Sequence, residues 1–388
     1  MLSKKITILY PALHYPPVIG GLELWMEQIA ERQSRNIEVL VITGSVRGAP
    51  NYEQKGSAKI FRWYIFALKD LSYSSYLYIA TTFVSVLIRS LYYAKKHKVD
   101  FFHCHGTLGG VLGWMLHLLS RTPYFVTIQS ADFDVYHSKL KWASGIHGLV
   151  EGVVFRGAAG CHSVSESLRR HYEKRGVMNS VVIPNGVDID IFKPIEDKKA
   201  LRRKLGIFSS YVFSCVSRLE YKNGTHDLIE AMRHIGKRFN DFTLVIVGDG
   251  TDREKLQDLA KRLNIRDKVM FTGAIPHKET AKYIGCSDVF IRPSLAEGFG
   301  IVFIEAMAAG VPVIGTKVGG IPDFLKDGET GIFCKVSNPE SIAEKIIFLL
   351  SDHDLNQRIA RNGLRLVREN YTWDNVARRM GRVYTNLV

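Results

Sequence analysis

Apolar runs of four to seven residues alternate with longer amphipathic stretches along almost the whole chain. Runs at residues 6–10, 37–43, 101–104, 124–128, 160–163 and 180–183 predict strands in the first half. Runs at 211–217, 243–247, 269–272, 289–292, 312–316 and 331–334 predict them in the second. Helical periodicity separates most of these runs, and that alternation implies an α/β class with parallel sheets. The series restarts after Pro184-Asn185-Gly186-Val187-Asp188, a turn sequence followed by Phe192, Lys193 and Pro194. Residues 188–196 therefore read as a linker. The expected organisation is two doubly wound domains, 1–188 and 189–371, with both sets of strand carboxyl ends opening on a cleft. A last helix starts at Tyr371-Thr372-Trp373-Asp374 and runs to the C-terminus.

One run carries most of the chemistry: Glu297-Gly298-Phe299-Gly300-Ile301-Val302-Phe303-Ile304-Glu305-Ala306-Met307-Ala308-Ala309-Gly310-Val311-Pro312-Val313-Ile314. Glu297 and Glu305 bracket a Gly-Phe-Gly turn and the first turns of an apolar helix. Just upstream, Cys286-Ser287-Asp288-Val289-Phe290-Ile291-Arg292-Pro293-Ser294 reads as a buried strand ending in a loop. A strand, a glycine turn and a helix N-terminus let backbone amides face an anion. A carboxylate beside that anion would be repelled, so Glu297 and Glu305 suit hydroxyl groups better. An anion held together with a polyhydroxyl group points to a nucleotide-sugar.

The stretch resembles the glutamate-x7-glutamate signature of retaining glycosyltransferases of the GT-B fold, especially glycosyltransferase family 4 (group 1). The likeness continues through Gly319-Gly320-Ile321-Pro322-Asp323 and Asp327-Gly328-Glu329-Thr330-Gly331, with support along nearly the whole chain. It implies two Rossmann-like domains, with acceptor bound by residues 1–188 and donor by 189–371. It also implies that the helix of about 372–388 crosses back onto the first domain. The implied reaction moves a hexosyl group from a UDP- or GDP-sugar to a sugar or lipid-linked acceptor, with retention, in cell-surface glycan or glycolipid synthesis. In this reading Gly298 and the amides of Phe299, Gly300 and Ile301 hold phosphate or a sugar oxygen. Glu297 meets the transferred sugar and Glu305 the ribose. The plain alternative for Glu305 is a buried acid satisfied by backbone.

The strand predicted at 211–217 ends in Arg218-Leu219-Glu220-Tyr221-Lys222-Asn223-Gly224. Cations fixed at such an edge stabilise the charge that develops on a departing nucleoside diphosphate. Taken alone, Arg218 and Lys222 are a surface pair around a turn. The resembling pattern puts its lysine directly before the glycine; here that position is Asn223 and the lysine comes one residue earlier. Gly248-Asp249-Gly250 reads as a tight turn between strand and helix. Phe271-Thr272-Gly273-Ala274-Ile275-Pro276 matches the segment whose backbone recognises the base, which makes Ile275 a candidate pocket wall or else a core residue.

In the first half, Gly20-Gly21 before Leu22-Glu23 is a close-approach loop that the resemblance sets near the donor diphosphate; by pattern alone it is a turn. His103 and His105 lie two apart at a strand end, without a third ligand at recognisable spacing. The resemblance gives His105 a catalytic place near the sugar and leaves His103 structural. Asp132 matches the acceptor side, whereas Gln129 and Ser130 stand where the pattern often has histidine and glycine. The triplets Asp132-Phe133-Asp134 and Asp188-Ile189-Asp190 are not assigned to metal, and neither a metal nor another cofactor is expected.

Composition narrows the rest. The 388 residues suffice for two cores, and 46% hydrophobic with 23% charged residues is ordinary for a globular chain. Five cysteines without paired spacing suggest reduced thiols and a cytoplasmic setting. The opening Met1-Leu2-Ser3-Lys4-Lys5-Ile6 reads as the approach to a strand rather than a signal peptide. The apolar stretch 76–91 contains Arg89 and falls short of a membrane span. Net charge is +14. Residues 1–190 hold 21 Lys and Arg against 14 acids and the remainder 31 against 24, so each part carries +7. With the excess spread and no recognition module visible, nucleic acid is not an expected partner. Two clusters mix cations with aromatics: Lys55, Lys59, Phe61, Arg62, Trp63, Tyr64, Phe66 and Lys69, and then Arg89, Tyr92, Tyr93, Lys95, Lys96 and Lys98. They suit either an anionic membrane face or a solvated edge with aromatic stems inside. Two rival readings remain: a sugar-nucleotide epimerase of the same fold, and a nucleotide-sugar-binding protein without turnover.

Overall fold

The computed structural model describes residues 5–17, 21–46, 48–63, 76–129 and 141–388. The chain divides into two compact units, residues 1–185 with 373–388 and residues 186–372. Gly20 and Asp132, the first Asp-x-Asp triplet, and Tyr64, Phe66 and Lys69 of the first basic cluster lie outside the described residues.

The first unit contains β1 (Ile6–Pro11), α1 (Gly21–Glu31), β2 (Ile37–Gly44), β3 (Tyr52–Lys55) and β4 (Ala58–Trp63). It continues with α2 (Tyr76–His97), β5 (Phe101–His105), α3 (Gly106–Ser120), β6 (Tyr124–Ile128), α4 (Lys141–Arg156), β7 (Gly160–Ser163), α5 (Glu166–Glu173) and β8 (Ser180–Val182). Among the described residues the strands form one sheet in the order β3-β4-β2-β1-β5-β6-β7-β8, parallel except for β3 against β4. Every residue of β1, β5 and β6 is buried, as in a sheet covered on both faces. The chain builds outward from β1 on one side and then returns to add β5 on the other. The loops after β1 and β5 therefore flank the switch point.

One expectation is located and another corrected here. Part of the first basic-aromatic cluster lies on the β3–β4 hairpin. Its cations are paired: Lys59 Nζ lies 2.7 Å from Glu38, Lys55 Nζ 3.2 Å from Glu27, and buried Arg62 2.6 Å from Glu53. Arg62 also donates to the carbonyls of Pro16 and Pro50. In addition, the apolar run at 76–91 belongs to a longer helix, and Leu77–His97 is long and apolar enough by length and composition to cross a membrane. In this unit α2 lies against β2 and α3, with Val86, Ser90, Tyr93 and Ala94 buried, so it is a covering helix of the sheet.

The second unit runs α6 (Lys198–Lys204), β9 (Tyr211–Val216), a 3-10 turn Tyr221–Asn223, α7 (Thr225–Ile235), β10 (Phe242–Val247), α8 (Arg253–Arg262), β11 (Val269–Gly273) and α9 (His277–Gly285). Then follow β12 (Val289–Arg292), α10 (Ile301–Ala308), β13 (Val313–Thr316), α11 (Ile321–Phe324), β14 (Ile332–Cys334), α12 (Pro339–Ser351) and α13 (His353–Asn370). The sheet order is β11-β10-β9-β12-β13-β14, parallel throughout, and reverses between β9 and β12. Helix α7 buries Leu228, Ile229, Ala231, Met232 and Ile235 against that sheet. Each of the four larger side chains contributes about 1.5–3 kcal/mol, and the Ala231 methyl less. Asp197, Asn338 and Asp352 cap their helices by accepting from Ala200, Ser341 and Leu355 amides.

The last helix, α14 (Trp373–Leu387), belongs to the first unit. Trp373, Val376, Ala377, Met380 and Tyr384 recur at helical spacing and are buried with Trp25, Ile29, Phe101 and Ile183.

Candidate active site

A doubly wound sheet leaves a crevice beyond its strand ends where the winding reverses. In the second unit that place is set by the loops after β9 and β12, which carry Arg218, Lys222 and Glu297. The two loops are locked together. Gly224 has φ +68, and a Cβ there would lie 2.0 Å from the carbonyl oxygen of Pro293. Leu295 N donates to Lys222 O at 2.8 Å. Glu297 is pinned from a third loop: Gly319, at φ +52, comes so close that a Cβ would sit 1.6 Å from Glu297 O. Gly320 N also donates to that oxygen, at 3.3 Å. Glycines 224 and 319 thus set the backbone on which the charged side chains stand.

The side chains sort into two groups. Arg218 is 71% exposed, with Nη1 3.5 Å from Glu220 Oε1. Lys222 is 18% exposed, and its Nζ lies 3.8 Å from Glu220 Oε2. Both cations therefore lean on one carboxylate. Arg292, at the end of β12, has Nη2 2.7 Å from Glu297 Oε2, an ion pair rather than an aligned hydrogen bond, and donates to Asn223 Oδ1 at 2.8 Å. Asn223 is buried and donates from Nδ2 to Arg218 O at 2.6 Å. The chain Arg218–Asn223–Arg292–Glu297 joins the two loops.

Helix α10 begins at Gly300, which is left-handed at φ +95. The amides of Phe299, Gly300 and Ile301 donate to no acceptor among the described residues. One turn on, Glu305 is buried. Its Oε1 accepts from His277 Nε2 at 2.7 Å, while Oε2 is buried without a partner among the described residues. Backbone does not satisfy this acid, in contrast to the plain alternative. The hydrogen bond to Glu305 raises the His277 pKa above its usual value. The ring also packs on Phe192, with centroids 5.0 Å apart. Ile275 follows β11 and is partly buried against the cluster of Ile207, Val212, Val245, Val247 and Cys286. The glycines of Gly248-Asp249-Gly250 are a close-approach turn against Ser217 and Leu219 carbonyls, and Asp249 pairs with Arg253.

In the first unit His105 ends β5. It is buried with neither ring nitrogen partnered among the described residues, and burial pushes its pKa down to about 3. His105 is thus neutral at physiological pH. His103 is fully engaged, Nδ1 with Tyr384 at 2.7 Å and Nε2 with Thr127 at 2.7 Å; Thr127 also meets His162. His103 is thus held between the Tyr384 and Thr127 hydroxyls. Among the described residues, no group of three or more His, Cys, Asp or Glu is placed to hold a metal. Asp188 Oδ1 instead accepts from the Asp190 and Ile191 amides. Gln129 keeps a buried Nε2 without a partner among the described residues. Gly21 opens α1 with free space around its Cβ position.

Arg292, Asn223 and His277 were not among the sequence-derived candidates. A cation closing the apolar strand Val289–Arg292 was the available signal for the first, and the departure from lysine before Gly224 was the signal for Asn223; nothing local marked His277.

Comparison with known proteins decides the family. The family model for "Glycosyl transferases group 1" matches residues 197–365, and that for "Glycosyltransferase Family 4" matches 19–191. An uncharacterized glycosyltransferase of Methanocaldococcus jannaschii is 33% identical over 385 residues, covering 95% of each chain. The chain belongs to the group 1, family 4 glycosyltransferases. A GDP-mannose-dependent alpha-(1-6)-phosphatidylinositol monomannoside mannosyltransferase of Mycolicibacterium smegmatis is 34% identical over 199 residues, 49% of this chain and 52% of that one. Among solved structures, sucrose-phosphate synthase of Thermosynechococcus elongatus superposes with TM-score 0.83 at 24% identity, covering 98% and 99% of the two chains. Anabaena HepE in complex with UDP-glucose does so with TM-score 0.77 at 21% identity, covering 98% and 100%. This glycosyltransferase has the GT-B fold, with one Rossmann-like domain in each unit.

Proposed function

We propose that this glycosyltransferase binds a nucleoside diphosphate hexose, UDP- or GDP-linked, at the β9/β12 switch of its second unit. It passes the hexose with retention to a sugar or lipid-linked acceptor held by the first unit. One observation carries the reading: at that switch point, uncommitted amides at the start of α10 adjoin two carboxylates, each held at one oxygen and uncommitted at the other. The amides and Arg218 and Lys222 suit a diphosphate; Glu297 suits the hexose hydroxyls and Glu305 the ribose. The Anabaena protein's UDP-glucose and the mycobacterial relative's GDP-mannose support a nucleotide-sugar.

In this account negative charge grows on the leaving diphosphate as the anomeric bond breaks, and fixed cations and amide dipoles stabilise it. Loss of one such donor typically costs about 2.7–4 kcal/mol. The leaving phosphate takes the acceptor proton on the same face of the sugar, without a metal ion. Neutral His105, with Asp132, serves the acceptor side, and Gly20 and Gly21 the donor diphosphate. A cytoplasmic setting suits the five free cysteines. Anionic membrane as a peripheral partner is supported by α2: Leu77, Val84, Ile88 and Tyr92 form an exposed stripe that ends in exposed Lys95, Lys96 and Lys98.

Incubation with a panel of UDP- and GDP-sugars and candidate acceptors, with products read by mass spectrometry and NMR, tests the reading. A glycoside with the donor's anomeric configuration is expected. An isomerised donor would make the protein an epimerase, and tight binding without turnover a binding protein.

A further inference from the structure

Arg292 is the cation at the switch point that the account above leaves unused. It closes an otherwise apolar strand, and its side chain is 13% exposed. Burying a guanidinium is costly unless its donors are met. Here one nitrogen, Nη2, serves both Asn223 and Glu297, while Nε is buried without an acceptor among the described residues. Two contacts leave most of its five N–H donors unmatched. A role confined to packing would be better filled by an aliphatic residue, and a role confined to steadying Glu297 would not need so many spare donors.

The partner on the other side is as informative. Asn223 stands directly before Gly224, where the resembling pattern carries lysine. A lysine there would bring its ammonium toward the Arg292 guanidinium, which now lies 2.8 Å from Asn223 Oδ1. Two cations at that separation repel, so Asn223 and Arg292 make sense as one exchange. The loop after β9 gives up its charge and supplies an acceptor, and β12 brings the charge in from the adjacent strand.

We propose that Arg292 is a donor-binding residue, presenting to the diphosphate of the nucleotide-sugar the positive charge that position 223 lacks. The proposal rests on the nucleotide-sugar reading of this site. Arginine suits it because its planar fork can hold Glu297 and Asn223 with one nitrogen and still offer donors to phosphate. Contact with Glu297 then couples hexose and diphosphate recognition through a single guanidinium.

The test uses the full chain and calorimetric titration with UDP and GDP, alongside uridine and guanosine. Arg292→Gln keeps polar contacts but removes the charge. It should weaken diphosphate binding at least tenfold and leave nucleoside binding unchanged. Adding Asn223→Lys to Arg292→Gln should regain most of the lost affinity, whereas Asn223→Lys alone should lower the melting temperature. Undiminished diphosphate affinity in Arg292→Gln overturns the proposal. So does equal weakening of nucleoside and diphosphate, or failure of the double variant to recover. If the unaltered chain binds neither UDP nor GDP, the nucleotide reading itself falls, and this proposal with it.

Discussion

Glu305 and Glu297 are each held at one oxygen, by His277 and by Arg292 respectively. Such tethering orients a carboxylate before a ligand arrives, so less side-chain freedom is lost on binding. For the His277–Glu305 pair the sign of the pH effect follows directly. The His277 pKa is raised in the folded chain, chiefly by the hydrogen bond to Glu305. Its stabilising contribution is therefore complete below the unfolded value of about 6.5 and is lost as pH rises through the raised folded value. Melting temperature should fall over that window in the unaltered chain, and the fall should be smaller in His277→Ala. Parallel pH profiles for the two would remove the pair from the account. These residues also mark where sequence reading stops. Glu297 and Glu305 share one recognisable run. Arg292 meets Asn223 across 69 positions and His277 meets Glu305 across 28, so only the folded chain reveals the partners.

Among the elements, most strands of both sheets could be read from continuous apolar runs, because parallel strands are covered on both faces. The β3–β4 hairpin could not. Ala58, Ile60 and Arg62 point inward from β4, and the arginine breaks the alternation that would have marked the strand. Its charge is tolerated because Glu53 and two carbonyls meet it. With the hairpin's cations so paired, the membrane proposal shifts to α2. Ile88→Glu with Tyr92→Ser should lower co-sedimentation with anionic vesicles without lowering the melting temperature by more than a few degrees. Equal sedimentation of the unaltered chain with anionic and neutral vesicles would contradict the proposal.

In the whole molecule, the chain leaves its first unit at Asn185 and returns to it at Trp373. Helix α14 completes the first core and supplies the Tyr384 hydroxyl that binds His103 Nδ1. The helix itself was evident in the sequence; which unit it joined came from resemblance alone, since a helical stretch does not name a partner. Met380→Ala should cost about 2–5 kcal/mol of stability in chemical denaturation, as for other large-to-small core changes. A cost below 1 kcal/mol would mean the helix is dispensable to that core.

The central claim is that oriented amides and fixed cations, without a metal ion, stabilise the departing diphosphate in the second unit. Hexosyl transfer measured in excess EDTA for the unaltered chain, Arg218→Ala and Glu297→Ala tests it most directly. The account predicts a rate indifferent to chelation in the unaltered chain and at least tenfold lower in each variant, with a cooperative unfolding transition retained in both. Transfer abolished by EDTA and restored by a divalent cation, or unchanged rates in both variants, would contradict it.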